Sequence, residues 1–128
     1  MARPKSKELT ERELEVMHAL WNLSEATIAD IRDELAKSGR ELAYTTVATL
    51  VKILHEKGFV EQTNEERPFQ YRPAKSFEDV SRNILGDVVD RLFGGAREQL
   101  LLRLFDHGKL TKKERETLQE ILAERDKR

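Results

Sequence analysis

The stretch AYTTVATLVKILHEKGFVEQTNEERPFQYRP, running from Ala43 to Pro73, decides the fold. Its first half has a helical period. On a wheel of about 100° per residue, Val47, Leu50, Val51 and Leu54 share one side, and Thr45, Ala48, Thr49, Lys52 and Glu56 share the other. The spacing predicts a helix from Tyr44 to Lys57, stopped at Gly58. Beyond the glycine the period shortens to two. Phe59 to Thr63 and Phe69 to Arg72 read as short strands, with the polar turn Asn64 to Pro68 between them. A helix that runs into a β-hairpin is the second half of a winged helix-turn-helix.

The residues before it supply the first half. Thr10-Glu11-Arg12-Glu13 is a capping box: the Thr hydroxyl and the Glu13 carboxylate satisfy amides that a helix start leaves unpaired. Leu14, Met17, Leu20 and Trp21 follow at helical spacing, then a break at Asn22 to Ala26. Thr27-Ile28-Ala29-Asp30 opens a second, shorter helix with Ile28, Ile31 and Leu35 on one side and Gly39 beyond its end. Residues 1–75 therefore read as a winged-helix domain.

Pro73 to Ser76 marks a boundary. Ser76 caps a longer helix whose stripe is Phe77, Val80, Ile84, Val88 and Leu92, widened by Leu85, Val89 and Phe93 and ended by Gly94-Gly95. Ala96 to His107 follows, with Leu100, Leu101, Leu102, Leu104 and Phe105 pointing nearly all round, and a helix apolar on all sides must be covered on all sides. A third box, Thr111 to Glu114, opens a last helix carrying Leu118, Ile121 and Leu122. Residues 76–128 are too few to enclose so wide an apolar surface. The expected solution is a second copy: a homodimer joined through Phe77, Val80, Ile84, Val88, Leu92, Leu101, Leu104 and Phe105. The fold class expected is mainly α with a small β-hairpin, a winged helix-turn-helix plus a C-terminal three-helix dimerisation region.

Composition narrows the function. The chain has 128 residues and no cysteine, which removes disulfide scaffolds, thiolate catalysis and Cys-ligated metal. No apolar run is long enough to cross a membrane, and Met1 to Glu8 lacks the apolar core of a signal peptide, so no membrane insertion and a cytoplasmic location are expected. His18, His55 and His107 are far apart and in no metal spacing, no serine sits in a nucleophile-elbow motif, and no glycine-rich phosphate loop occurs. An enzyme is not expected, nor a metal or other cofactor. The charge, 23 Lys+Arg against 24 Asp+Glu, taken alone argues against nucleic acid.

The polar side of the Tyr44–Lys57 helix argues the other way. Three threonines at 45, 46 and 49 lower helix propensity, where this chain elsewhere places Glu and Lys. Small side chains let a helix backbone approach the floor of the major groove, and Thr and Ala methyls can meet the thymine methyl. Tyr44 and Thr46 stand at the helix N-terminus, suited to phosphate, and Lys52 lies one turn further on. Arg67 at the hairpin tip and Arg72 on its second strand are candidate wing contacts, and Arg3, Lys5 and Lys7 form a basic arm. The expected partner is double-stranded DNA, contacted by Tyr44, Thr45, Thr46, Ala48, Thr49, Lys52, Arg67 and Arg72. Two other readings stay open: a regulator controlled by a small ligand, and a protein–protein interaction module.

Leu9-Thr10 with Glu13-Leu14 and Trp21, Ala43 to Leu50, Lys57-Gly58-Phe59-Val60, Tyr71-Arg72-Pro73 and Phe93-Gly94-Gly95 together resemble the penicillinase-repressor family (BlaI/MecI/CopY) over nearly the whole chain. The resemblance implies a dimeric repressor on a dyad-symmetric operator. It also implies a membrane-bound sensor metallopeptidase whose signal ends in cleavage of the repressor. Thr45, Thr46, Ala48 and Thr49 fall where relatives contact the major groove. Some relatives carry basic residues at the positions of Thr45 and Ala48. The family's cleavage site falls around Leu102, Arg103 and Leu104, and Arg103-Leu104 stands where the β-lactam-resistance members have Asn-Phe. Copper-responsive members use C-terminal cysteines, which this chain lacks.

Overall fold

The computed structural model describes residues 8–106 and 108–126. The expected basic arm of Arg3, Lys5 and Lys7, and His107, lie outside the described residues. The elements follow in the order α1 (Glu11–Leu23), β1 (Ala26–Thr27), α2 (Ile28–Lys37), α3 (Tyr44–Lys57), β2 (Val60–Gln62), β3 (Gln70–Pro73), α4 (Phe77–Leu92), α5 (Arg97–Phe105) and α6 (Lys112–Asp126). Two compact units result, Met1–Ser81 and Arg82–Arg128.

Helix starts follow the threonines. The Thr10 amide donates to Glu13 Oε1 at 2.9 Å while the Glu13 amide donates to Thr10 Oγ1 at 3.2 Å. The same reciprocal pair joins Thr27 to Asp30 and Thr111 to Glu114, each box satisfying two orphan donors. The Ser76 hydroxyl accepts from the Asp79 amide at 3.1 Å and starts α4. The ends of α2 and α3 use glycine with positive φ. At Gly39 and at Gly58, both at φ 86°, the chain turns so that the next residue's amide reaches back to Leu35 and Leu54 respectively.

In the first unit α1, α2 and α3 pack around Val16, Met17, Leu20, Ile31, Val47, Val51 and Leu54, all fully buried. The hairpin closes one side through Phe59 and Val60. The sheet has three strands, in the antiparallel order β1-β3-β2, where two were expected. The added strand, Ala26–Thr27, is too short to show a period of two in sequence, and its edge pairs Ala26 with Tyr71 and Thr27 with Gln70. This unit ends at Ser81, beyond the Pro73–Ser76 boundary expected, because the first turn of α4 belongs to its core. Val80, expected on the dimerisation face, is only 4% exposed and joins that core, and Phe77 packs against α1 rings.

Between α1 and β1 the chain turns at Ser24, whose φ of 70° and ψ of −47° lie in a region strained for any residue with a Cβ. Ser24→Gly is expected to stabilise the unit by about 1 kcal/mol, the strain relieved less the added freedom of the unfolded glycine. Urea unfolding measures it, and a variant less stable than wild type would refute the strain.

The second unit is helical and open. Among its described residues α5 and α6 hold no buried side chain. Leu92 is 72% exposed, and Leu101, Leu102, Leu104, Ile121 and Leu122 are each at least half exposed.

Candidate nucleic-acid interface

Helix α3 sits on the core through Val47, Val51 and Leu54, so its other side faces solvent. Tyr44, Thr45, Thr46, Thr49 and Lys52 are exposed and Ala48 is half-buried. Its N-cap is Ala43, with no side-chain cap. The first-turn amides, occupied at α1, α2 and α6, are therefore left available here. Thr49 Oγ1 donates to the Thr45 carbonyl at 2.9 Å, which satisfies the hydroxyl proton within the helix. The Thr45 and Thr46 hydroxyls have no protein partner among the described residues, so they are the freer donors of the three.

The wing is organised by Asn64. Its Nδ2 donates to the carbonyls of Glu66 and Pro68 at 3.0 and 3.2 Å, its Oδ1 accepts from the Gln70 amide at 2.7 Å, and Gln62 Nε2 donates to its carbonyl at 2.6 Å. Sequence reasoning took Asn64 only as a turn residue; its capacity for local backbone bonds was the available signal. Around this frame the Arg67 guanidinium lies 5.5 Å from the centroid of the Phe69 ring, a cation–π contact that limits where the side chain can go.

The hairpin tip and the start of α3 enclose an open cleft of about 540 Å³, lined by Ile28, Tyr44, Ala48, Arg67, Pro68, Phe69 and Tyr71. Three of the expected DNA residues, Tyr44, Ala48 and Arg67, meet there. Ile28, Phe69 and Tyr71 were not expected and form its apolar part. Burial raises the Tyr71 pKa, and nearby Tyr44 adds to the shift, so the Tyr71 phenol remains a proton donor at neutral pH. Thr45, Thr46, Thr49 and Lys52 do not line the cleft.

Arg72 is placed differently. In the register it stands opposite Glu61, and its Nε donates to Glu61 Oε1. Strand alternation puts it on the other face of the hairpin from Tyr71. Its charge is committed to a carboxylate in the free protein, and it lies outside the cleft.

Behind α3 lies an ion pair. Lys57 Nζ donates to Glu13 Oε1 and to the Glu8 carbonyl, at 2.8 and 2.9 Å, with both side chains of the pair nearly excluded from solvent. Burial pushes the Glu13 carboxyl up, but hydrogen bonds from Lys57 and Thr10 outweigh it and hold the pKa below its ordinary value. The pair ties the last turn of α3 to the first turn of α1.

In the second unit Ile84, Leu92, Leu101, Leu104 and Phe105 are exposed and Val88 is half-buried. Arg103 and Leu104 lie on the exposed surface of α5, where Arg103 Nη1 meets Asp106 Oδ2 at 2.9 Å.

Comparison with known proteins agrees with this architecture. A mutant MarR from E. coli superposes with a TM-score of 0.50 at 15% identity, over 91% of this chain and 77% of that one, and shows the fold alone. Methicillin resistance regulatory protein MecI of Mammaliicoccus sciuri is 26% identical over 118 residues, covering 92% of this chain and 95% of MecI. The penicillinase repressor of Bacillus licheniformis is 26% identical over 120 residues, covering 94% of this chain and 93% of its own length. The penicillinase repressor family model matches residues 9–124, and the chain belongs to that family.

Proposed function

We propose that this chain is a homodimeric transcriptional repressor that holds a dyad-symmetric DNA operator through α3 and the wing. The observation that carries the reading is the solvent side of α3: small hydroxyl and methyl groups, an N-terminus with no side-chain cap, and a cleft beside it walled by Arg67. The family is one of transcriptional repressors rather than enzymes. The uncovered leucines of α5 and α6 support a second copy, because a lone chain leaves them in water. Among the described residues no helix is long and apolar enough to cross a membrane. Within this proposal the repressor acts in the cytoplasm, and release follows cleavage of α5 near Arg103-Leu104, downstream of a membrane-bound sensor metallopeptidase.

The test is selection of duplexes from a random DNA library on the full chain, then gel shifts of the selected site across a salt series. A selective complex with a steep log–log salt dependence is expected. Absence of any selective complex at about 1 µM, well above the dissociation constants usual for specific repressors, would leave an interaction module as the better reading. Thr46→Ala is expected to cost about 1 kcal/mol of specific affinity. Thr49→Ala should cost less, because its hydroxyl proton is already given to Thr45. The reverse order would show that the wrong face of α3 has been assigned.

A further inference from the structure

The Arg67 guanidinium has no carboxylate to hold. Arg32, Arg40 and Arg72, in the same unit, each meet one. Arg67 forms no ion pair and no hydrogen bond among the described residues, although Glu65 and Glu66 precede it in the chain. Its neighbour is the Phe69 ring, whose centroid is 5.5 Å away. A guanidinium laid on a ring by one face keeps its N–H edges free. Those edges match the two oxygens of a carboxylate.

The cleft in which this cation sits is otherwise uncharged. Ile28, Ala48, Pro68 and Phe69 wall it, together with Tyr44 and Tyr71, and no acidic side chain lines it. Neither phenol hydroxyl has a hydrogen bond among the described residues. Tyr71 keeps its proton at neutral pH, and Tyr44 is near enough to raise its pKa further, so two donors share one neighbourhood. The cleft thus joins one positive charge, two phenols and an apolar wall rich in rings, in about 540 Å³. That is the make-up and size of a small-molecule site. Inorganic phosphate would satisfy the cation but gain nothing from the walls. A monoanion with a flat apolar body uses both.

We propose that this cleft binds a small carboxylate with a flat apolar body, and that its occupancy excludes DNA. The carboxylate pairs with Arg67, and the body covers the apolar wall. The exclusion rests on the repressor reading, because Tyr44, Ala48 and Arg67 are expected DNA contacts; the site itself does not. The inference goes beyond that reading by adding a reversible release that leaves the chain uncut.

The probe is 2-naphthoate, titrated into the isotope-labelled full chain and followed through the backbone amide resonances. Saturable shifts at the start of α3, the hairpin tip and β3 are expected, with a dissociation constant of about 1 mM or tighter. Neutral 2-naphthamide and inorganic phosphate are each expected to bind at least about tenfold more weakly, one lacking the charge and the other the apolar body. Arg67→Gln should lose about tenfold or more for naphthoate, whereas Arg32→Gln, which removes the same charge from α2, should lose none. The amide spectrum of each variant shows whether it is folded. Absence of saturable shifts at these positions overturns the proposal. So does equal binding of either control compound, or an Arg67→Gln chain that is folded and binds as wild type does. Naphthoate at about ten times its dissociation constant should then weaken the duplex selected from the random library about tenfold, by competition. A duplex affinity unchanged by bound naphthoate overturns the exclusion with the repressor reading intact. Failure of wild type to select any duplex removes the repressor reading and the exclusion together, while the titration, which contains no DNA, still decides the site.

Discussion

Lys57→Met is expected to destabilise the winged-helix unit by about 3–5 kcal/mol, because it leaves the Glu13 carboxylate buried without its cation. The methionine can fill much of the space, so the loss reports charge rather than volume. Glu13→Gln should cost less, since the amide oxygen can still accept from Thr10 and Lys57, and the ammonium left without its anion keeps the Glu8 carbonyl as well. The two differ again with pH. The folded pKa of Glu13 is lowered, so its contribution is complete above the ordinary value of about 4.5 and is lost as pH falls through the folded value. In Lys57→Met burial acts with less opposition and the folded pKa rises, so the loss of stability on acidification shrinks, and it reverses to a gain where the folded value exceeds that of the unfolded chain. Glu13→Gln should lose that part of the pH dependence. Urea unfolding of the three proteins at several pH values tests this; a loss under about 1 kcal/mol for Lys57→Met would class the pair with ordinary surface bridges.

Ala48→Glu is expected to weaken binding to the selected operator by about 100-fold or more, with no comparable loss of stability. Ala48 is half-buried on α3 and lines the cleft with Arg67. A carboxylate there both repels phosphate and competes for the guanidinium, so one substitution opposes two favourable charge interactions. Glu is a good helix former, so α3 should persist. Ala48→Lys should act in the opposite sense, raising affinity for all sequences and steepening the log–log salt dependence by about 0.9 per phosphate met. Fluorescence anisotropy on selected and scrambled duplexes separates the two effects. Unchanged affinity in Ala48→Glu would place DNA, or whatever the protein binds, on another face.

Much of this fold could be read from local chemistry. The boxes at Thr10, Thr27 and Thr111 each announce a helix through residues three apart, and Gly58 ends α3 by its own backbone freedom. Features that join distant residues were not legible. Lys57 and Glu13 are 44 positions apart, and each already has a satisfactory local explanation, a helix end and a capping box. Arg72 looks like a free wing cation until the register sets it across from Glu61. Val80 belongs by period to the stripe of α4, yet the core of the first unit takes it, because periodicity gives the side of a helix and not what covers it. The cleft shows the same division. Tyr44, Ala48 and Arg67 are visible as types, whereas Ile28, Phe69 and Tyr71 join them only when β1 and β3 pair.

Thr27 shows what that pairing entails for motion. One residue closes the sheet edge against Gln70 and also caps α2 through Asp30. The edge of the wing cannot detach from β1 without disturbing the first turn of α2, and α2 cannot fray from its start without loosening the wing. Amide protection in the two elements is therefore tied to a shared opening rather than to independent local fluctuations. For a chain whose net charge is −1 that favours binding: the wing is presented already ordered, and little conformational freedom remains to be lost on meeting a partner.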